Sequence, residues 1–237
     1  MNRALFQLER AAGDMGVALP PGALGRFEAY LHELMVWRGR INLTAATTPQ
    51  AVVGLHFVDS LLPLSLVDFP RQARVADVGS GGGFPGLPTK IVRPDLRVTL
   101  IEASTRRVAF LEHVGRVLEL TDLTVAWGRA EVLGRAIEHR ERFDIVLSRA
   151  AARARAAAEL CLPFARVGGT VILLKGPKAG PELAAARPLI ERLGGALSET
   201  EVMSLPTTNQ SRLVAIIKKS RPCGEEYPRS ATRLGRY

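Results

Sequence analysis

Cysteine is scarce: the chain of 237 residues has two, Cys161 and Cys223, far apart and in no C-x-x-C pair. Neither a disulfide framework nor a zinc site is indicated, and no metal is expected. Aromatic residues make up 5%, too few for a single-strand binder built mainly on stacking platforms. No uncharged run approaches the length of a membrane span, and the N-terminus carries Arg3, Glu9 and Arg10 without an apolar signal core. These absences predict a soluble, unsecreted protein of the reducing cytoplasm, in which the Asn42-Leu43-Thr44 glycosylation pattern has no consequence. Acidic residues are in deficit as well, 23 against 32 Lys and Arg, a net +9. Such a balance favours a polyanionic partner, a nucleic acid or an anionic membrane surface.

What is present is apolar: 47% of the residues, enough to build one α/β core with an extension. Residues 1–70 read as a helical N-terminal extension packed on the main domain, which occupies 71–237. Leu5, Leu8 and Ala12 share one helical face, Pro20-Pro21-Gly22 interrupts, and a second helix runs from about Ala23 to Trp37 with Phe27, Tyr30, Leu31 and Leu34 as its apolar stripe. These aromatics are expected in the core. A short helix follows, capped by Thr47 or Thr48 with Pro49 at its first position. On a continuing helix His56 would sit beside Asp59 and Ser60.

The centre of the chain is Val75-Ala76-Asp77-Val78-Gly79-Ser80-Gly81-Gly82-Gly83-Phe84-Pro85-Gly86, followed by Leu100-Ile101-Glu102. A buried strand, a glycine turn, a helix and a second strand ending in an acid make a nucleotide-binding half-fold. Gly79, Gly81 and Gly83 permit positive φ and leave no Cβ between main chain and ligand. Glu102 is placed to accept hydrogen bonds from a ribose diol. Gly81-x-Gly83-x-x-Gly86 fits a dinucleotide pattern, but Pro85 removes an amide and Asp77 adds an anion where a pyrophosphate would lie. A cationic nucleoside, S-adenosylmethionine, suits the stretch better than a dinucleotide or a turn that binds nothing.

From Ala73 onward strands alternate with helices, predicted at 74–78, 98–102, 123–127, 143–148 and 169–175, with helices at about 87–92, 105–119, 131–139, 153–162 and 181–193. Two more strands, 198–204 and 212–218, are joined by a loop with Pro206 and Asn209 that is too short for a crossover helix, so they run antiparallel. The expected architecture is α/β: a Rossmann-like seven-stranded methyltransferase sheet with its last strand antiparallel. Residues just past the strand ends are then the candidate ligands. With Asp77, whose acid on the first strand suits a cationic ligand, they are the glycine turn, Glu102-Ala103-Ser104, Ala130 and Glu131 at the adenine edge, and Arg149 as an anchor for a carboxylate, a guanine or a phosphate oxygen. Ser148-Arg149-Ala150 replaces the Asn/Asp-Pro-Pro-aromatic motif of exocyclic-amine methylation, and Pro222-Cys223, the one Pro-Cys pair, lies beyond the last strand. An acceptor that needs no activation, such as guanine N7, remains, and catalysis would be positioning, with no catalytic residue assigned. The segment from Arg212 to Tyr237 has seven basic residues against two Glu, a solvated edge or a surface for RNA phosphates.

Asn42-Leu43-Thr44, His56-x-x-Asp59-Ser60-Leu61, Asp77 to Gly86, Gly128-Arg129-Ala130-Glu131, Phe143-Asp144, Ser148-Arg149-Ala150, Leu174-Lys175-Gly176 and Tyr227-Pro228-Arg229 together resemble the bacterial 16S ribosomal RNA guanine-N7 methyltransferase family, also known as glucose-inhibited division protein B. The resemblance runs from about residue 30 to the C-terminus and is most specific at Gly83-Phe84-Pro85-Gly86. It implies methyl transfer from S-adenosylmethionine to N7 of a guanosine in 16S rRNA, naked or within the small-subunit particle, by a monomer working away from membranes. It further implies that Gly79, Phe84, Ala130, Glu131 and Arg149 contact the cofactor, with residues 102–104 beside the ribose. His56, Asp59, Arg129 and Lys175, with Arg229 in the basic tail, would line the RNA side. Two departures are visible: Arg106-Arg107 stands where the family has a lysine pair, and the tail after Arg229 lacks the usual Gly-Pro-Leu. The residues alone also admit a methyltransferase with a small-molecule acceptor or a non-catalytic nucleotide-binding regulator.

Overall fold

Alternate residues along each strand reach opposite layers. Val75, Val98, Leu100, Ile145, Leu147, Ile172, Val214 and Ile216 enter one apolar core. Ala76, Ile101, Val146, Val171, Leu173, Ala215 and Ile217 enter another. The computed structural model describes residues 3–149, 152–208 and 210–234; Ala150 and Asn209 lie outside them. The strands are β1 (Arg74–Val78), β2 (Arg97–Glu102), β3 (Leu123–Trp127), β4 (Phe143–Ser148), β5 (Ala165–Lys175), β6 (Gly195–Ser204) and β7 (Ser211–Lys219). They form one sheet in the order β3-β2-β1-β4-β5-β7-β6. The first five are mutually parallel. β7 is antiparallel to both β5 and β6 and lies between them, so the reversed strand sits one place in from the edge.

The helices are α1 (Arg3–Asp14), α2 (Ala23–Trp37), α3 (Pro49–Val52), α4 (Asp59–Leu66), α5 (Gly86–Val92), α6 (Thr105–Val117), α7 (Ala130–Leu133), α8 (Ala154–Cys161), α9 (Gly180–Arg192) and α10 (Ala231–Leu234). The apolar stripes of α1 and α2, with Leu5, Leu8, Phe27, Tyr30 and Leu34 fully or almost fully buried, share the first core with the sheet. Each such side chain contributes about 1.5–3 kcal/mol of burial. Thr48 caps α3, its hydroxyl accepting from the Ala51 amide, with Pro49 at the first position. Between α3 and α4 the chain winds as a π-helix, Val53–Val58, which the sequence does not signal. The expected helix over 131–139 shrinks to the single turn of α7. Gly134 ends it, and Val132 and Ile137 are 61% and 73% exposed, so no apolar stripe is buried to sustain a longer helix.

The chain after β7 is strapped to the segment following α7. Arg135 donates to the carbonyls of Glu225, Glu226 and Pro228. Arg140 donates to those of Cys223, Gly224 and Tyr227. Strand order reverses between β1 and β4, whose carboxyl ends therefore open a crevice, and the elements around that crevice carry the site.

Candidate functional site

The turn after β1 is closed on itself. Gly79 and Ser80 donate their amides to Ile101 O, Gly83 and Phe84 to Ser80 O, Gly81 to Glu102 Oε2 and Gly86 to Asp77 Oδ2. Six of the seven amides between Gly79 and Gly86 thus have partners within the protein, and Pro85 has none to give. A pyrophosphate would find no nest of free donors here, which argues against a dinucleotide more strongly than the sequence does. The three glycines differ. A Cβ on Gly79 (φ +77) would point into open space, and on Gly81 (φ +58) it would meet the Gly79 carbonyl oxygen at 3.9 Å. On Gly83 (φ +96) it would lie 2.4 Å from Leu87 Cδ1 and 2.6 Å from the Tyr30 hydroxyl. Gly83 is therefore bare so that the turn can pack on α2 and α5, and not so that a ligand can approach.

Tyr30, expected in the core, also acts on the turn: its buried hydroxyl donates to the Gly82 carbonyl. Burial raises the phenol's pKa and keeps it a neutral donor. Asp77 is fully buried beneath the turn with its Oδ2 on the Gly86 amide at 2.9 Å, and it is not among the cavity-lining residues. Desolvation pushes its carboxyl up to about 7, so the anion expected from the sequence becomes a group poised near neutrality.

A cavity of about 230 Å³ opens past the ends of β1, β2 and β3, lined by Gly79, Ile101, Glu102, Ala103, Arg107, Gly128, Arg129, Ala130 and Glu131. Glu102 is its organising group. Its Oε2 accepts from Gly81 N and its Oε1 from Ser104 N at 2.8 Å, which leaves a lone pair on each oxygen for a diol. Arg107 stands 3.9 Å from the same carboxylate, and Glu131 pairs with exposed Arg129. Of the expected cofactor residues, Gly79, Glu102, Ala103, Ala130 and Glu131 converge here, with Ser104 beside them.

Phe84 and Arg149 do not line that cavity; they build a second cluster against the N-terminal helices. The Phe84 ring stacks on His56 at 4.8 Å and on Tyr30 at 5.6 Å, and the Arg149 guanidinium lies 4.7 Å from its centroid. Arg149 Nη1 donates to Leu55 O and to Asp59 Oδ2, both at 3.2 Å. Asp59, 1% exposed, receives a second cation, Arg212 Nε, on Oδ1 at 3.1 Å. Arg212 at the start of β7 is the residue the sequence reading missed; only the placement of β7 beside β5 brings it to the crevice. His56 Nε2 bonds the Thr44 hydroxyl, its Nδ1 is buried with no hydrogen-bond partner among the described residues, and burial, aided by Arg149, pushes the ring down to about 3. Ser60 donates to the His56 carbonyl.

Lys175 and Arg229 go elsewhere. Lys175 Nζ bonds Ala152 O and lies 3.3 Å from Glu182, closing the corner of β5, α8 and α9. Arg229 forms a two-pronged pair with Glu159, whose side chain is fully buried, and so anchors the strap. Their basic character in the sequence reflects these partners. Cys161 and Cys223 are buried and burial raises both thiols, Cys161 to about 12.

Asp77 and His56 give opposed proton balances. Between about pH 4 and 6.5 the folded chain holds the Asp77 proton that the unfolded chain, with its carboxyl at 3.8, releases. Over the same range it refuses the His56 proton that the unfolded chain, with its imidazole at 6.5, takes up. The two slopes cancel in the wild type. Asp77→Asn removes the first, so stability should then rise with pH across this window, by about 1.4 kcal/mol per unit at most. Urea midpoints across the window for both proteins check this, and parallel profiles would refute the Asp77 assignment.

Comparison with known proteins gives a consistent picture. Residues 24–212 match the family model described as GidB, rRNA small subunit methyltransferase G. The Ribosomal RNA small subunit methyltransferase G of Halalkalibacterium halodurans is 43% identical over 216 residues, 91% of each chain. That of a Roseiflexus species is 44% identical over 224 residues, 94% of each chain. Among solved structures, TYW2 of M. jannaschii in complex with AdoMet superposes with a TM-score of 0.57 over 76% of this chain and 80% of that one, at 14% identity. A putative methyltransferase complex of Haloferax volcanii with the Trm112 activator gives 0.58 over 80% and 98%, at 13% identity. At these identities the structures establish the fold, a Rossmann-like methyltransferase sheet, and the sequence relatives establish more: the chain belongs to the rRNA small subunit methyltransferase G (GidB) family.

Proposed function

We propose that the protein transfers a methyl group from S-adenosylmethionine to N7 of a guanosine in 16S ribosomal RNA. The single observation that carries the cofactor assignment is the pairing of a cavity organised by Glu102 with a glycine turn in which six of seven amides are already engaged. The residues fit that nucleoside: Glu102 retains acceptor capacity for the ribose, Ala130 and Glu131 lie where the adenine edge would rest, and Gly79 leaves open space above the main chain. When bound, the cofactor supplies a methyl carbon activated by its sulfonium.

Guanine N7 carries an in-plane lone pair and no proton, so the chain has none to remove. The crevice cluster accords with that. His56 is held neutral, Arg149 and Arg212 are cations locked onto Asp59, and these groups orient a base without exchanging protons with it. Family membership and the net +9 support ribosomal RNA over a small-molecule acceptor. In this reading His56, Arg149 and Arg212 with exposed Arg129 form the RNA side, and buried Asp59 holds the two crevice arginines in place.

Nucleoside analysis of 16S rRNA from a deletion strain tests the assignment. 7-Methylguanosine should fall on deletion and return when the gene is restored. Glu102→Ala should weaken S-adenosylmethionine binding by about 1–3 kcal/mol in calorimetry, the cost of unpairing its partners. Unaltered 7-methylguanosine would refute the substrate, and an unchanged affinity would refute the cavity.

A further inference from the structure

We infer that Trp127 and the arginines around it form a stacking platform for an unpaired RNA base next to the one that is modified. The inference rests on the RNA reading above. Trp127 ends the edge strand β3 and is 64% exposed, an unusual condition for so large an apolar ring. It is not loose. Its indole Nε1 donates to the Ala103 carbonyl at 3.2 Å, so the polar edge is satisfied against the protein while the ring remains open to solvent.

Its position is informative. In the β2–β3 register Trp127 stands opposite Glu102, and the next residue, Gly128, lines the nucleoside cavity. The ring is thus beside the cavity and outside it, where it neither blocks nor caps a ligand. Half-exposed Arg107 and Arg129, with 63% of its side chain exposed, stand in the wall of the same cavity, and exposed Arg106 precedes Arg107 on the first turn of α6. The two nearby carboxylates are turned inward, Glu102 onto loop amides and Glu131 onto Arg129. What reaches solvent is one fixed aromatic face flanked by guanidinium groups. That combination suits a base stacked on the ring with its phosphates on the arginines, and it disfavours an apolar protein partner or a second copy of this basic chain.

Intrinsic fluorescence provides the test, because Trp127 and Trp37 are the two tryptophans in the chain and Trp37 is half-buried against Phe110 and His113, away from the cavity. A short single-stranded RNA added to the full chain should quench the exposed emission, and the quenching should vanish in Trp127→Phe. Trp127→Ala should bind that RNA about ten-fold more weakly, with Trp127→Phe retaining most of the affinity. S-adenosylmethionine affinity should stay unchanged in both. RNA binding that is unquenched and equally tight in Trp127→Ala would overturn the platform and leave the RNA reading intact. A wild-type chain that binds no RNA would overturn that reading itself. A Trp127→Ala protein with weakened cofactor binding would show that the ring props the cavity wall instead.

Discussion

Asp59→Ala is expected to destabilise the protein by about 3–5 kcal/mol, because it leaves two arginines in the crevice without their shared carboxylate. Arg149 and Arg212 approach its two oxygens at 3.2 and 3.1 Å, and burial already works against the charge on Arg149. The damage reaches three elements, since Asp59 opens α4, Arg149 follows β4 and Arg212 begins β7. Cofactor affinity should change little, as none of the three lines the cavity. Methyl transfer should be lost as well if, as proposed above, the cluster orients the base. Urea unfolding and calorimetry separate these effects. A stable Asp59→Ala protein would mean that the carboxylate does not hold the crevice together.

Gly83→Ala should cost a comparable amount, about 2–5 kcal/mol, from two sources. Its φ of +96 is disfavoured for any residue with a side chain, and the new Cβ would overlap Leu87 and the Tyr30 hydroxyl. Leu87 is fully buried and Tyr30 is committed to the Gly82 carbonyl, so neither can withdraw cheaply. Gly79→Ala is the control. Its added methyl meets nothing, so it should lose about 1–2 kcal/mol of stability from backbone conformation alone. It sits in the cavity wall, however, and should lose most of its cofactor affinity. Thermal melts and titrations of the two variants should give opposite patterns; matching patterns would mean that both glycines serve the same end.

Much of this was legible from local pattern. β1, β3 and β4 fall where hydrophobic runs and turn residues place them, and the short β6–β7 loop dictates an antiparallel pair. The cavity was legible because Glu102, Ala130 and Glu131 all follow strand ends. The crevice cluster was only half legible. His56 and Asp59 stand out as polar residues in an apolar stretch, but their approach to Phe84 and Arg149 depends on a π-helix that leaves no local signal. Arg212 depends on where β7 is inserted in the sheet. Lys175 and Arg229 show the reverse case: local pattern marks both as cations near the candidate site, and only the fold reveals that they pair with Glu182 and with buried Glu159.

The strap over α7 bears on when the protein becomes competent during synthesis. The cavity past the ends of β1, β2 and β3 is walled in part by Ala130 and Glu131, and the segment just after them is held by carbonyls of residues 223–228, with Pro228 packed 3.3 Å from the Cβ position of Gly134. A nascent chain still lacking those residues would carry Arg135 without its three strap carbonyls, Arg140 with the Gly134 carbonyl but none from the strap, and Glu159 without Arg229. Vectorial translation therefore delivers the fastening of this wall after the wall itself, and in an unfinished polypeptide that side of the cavity is not yet secured.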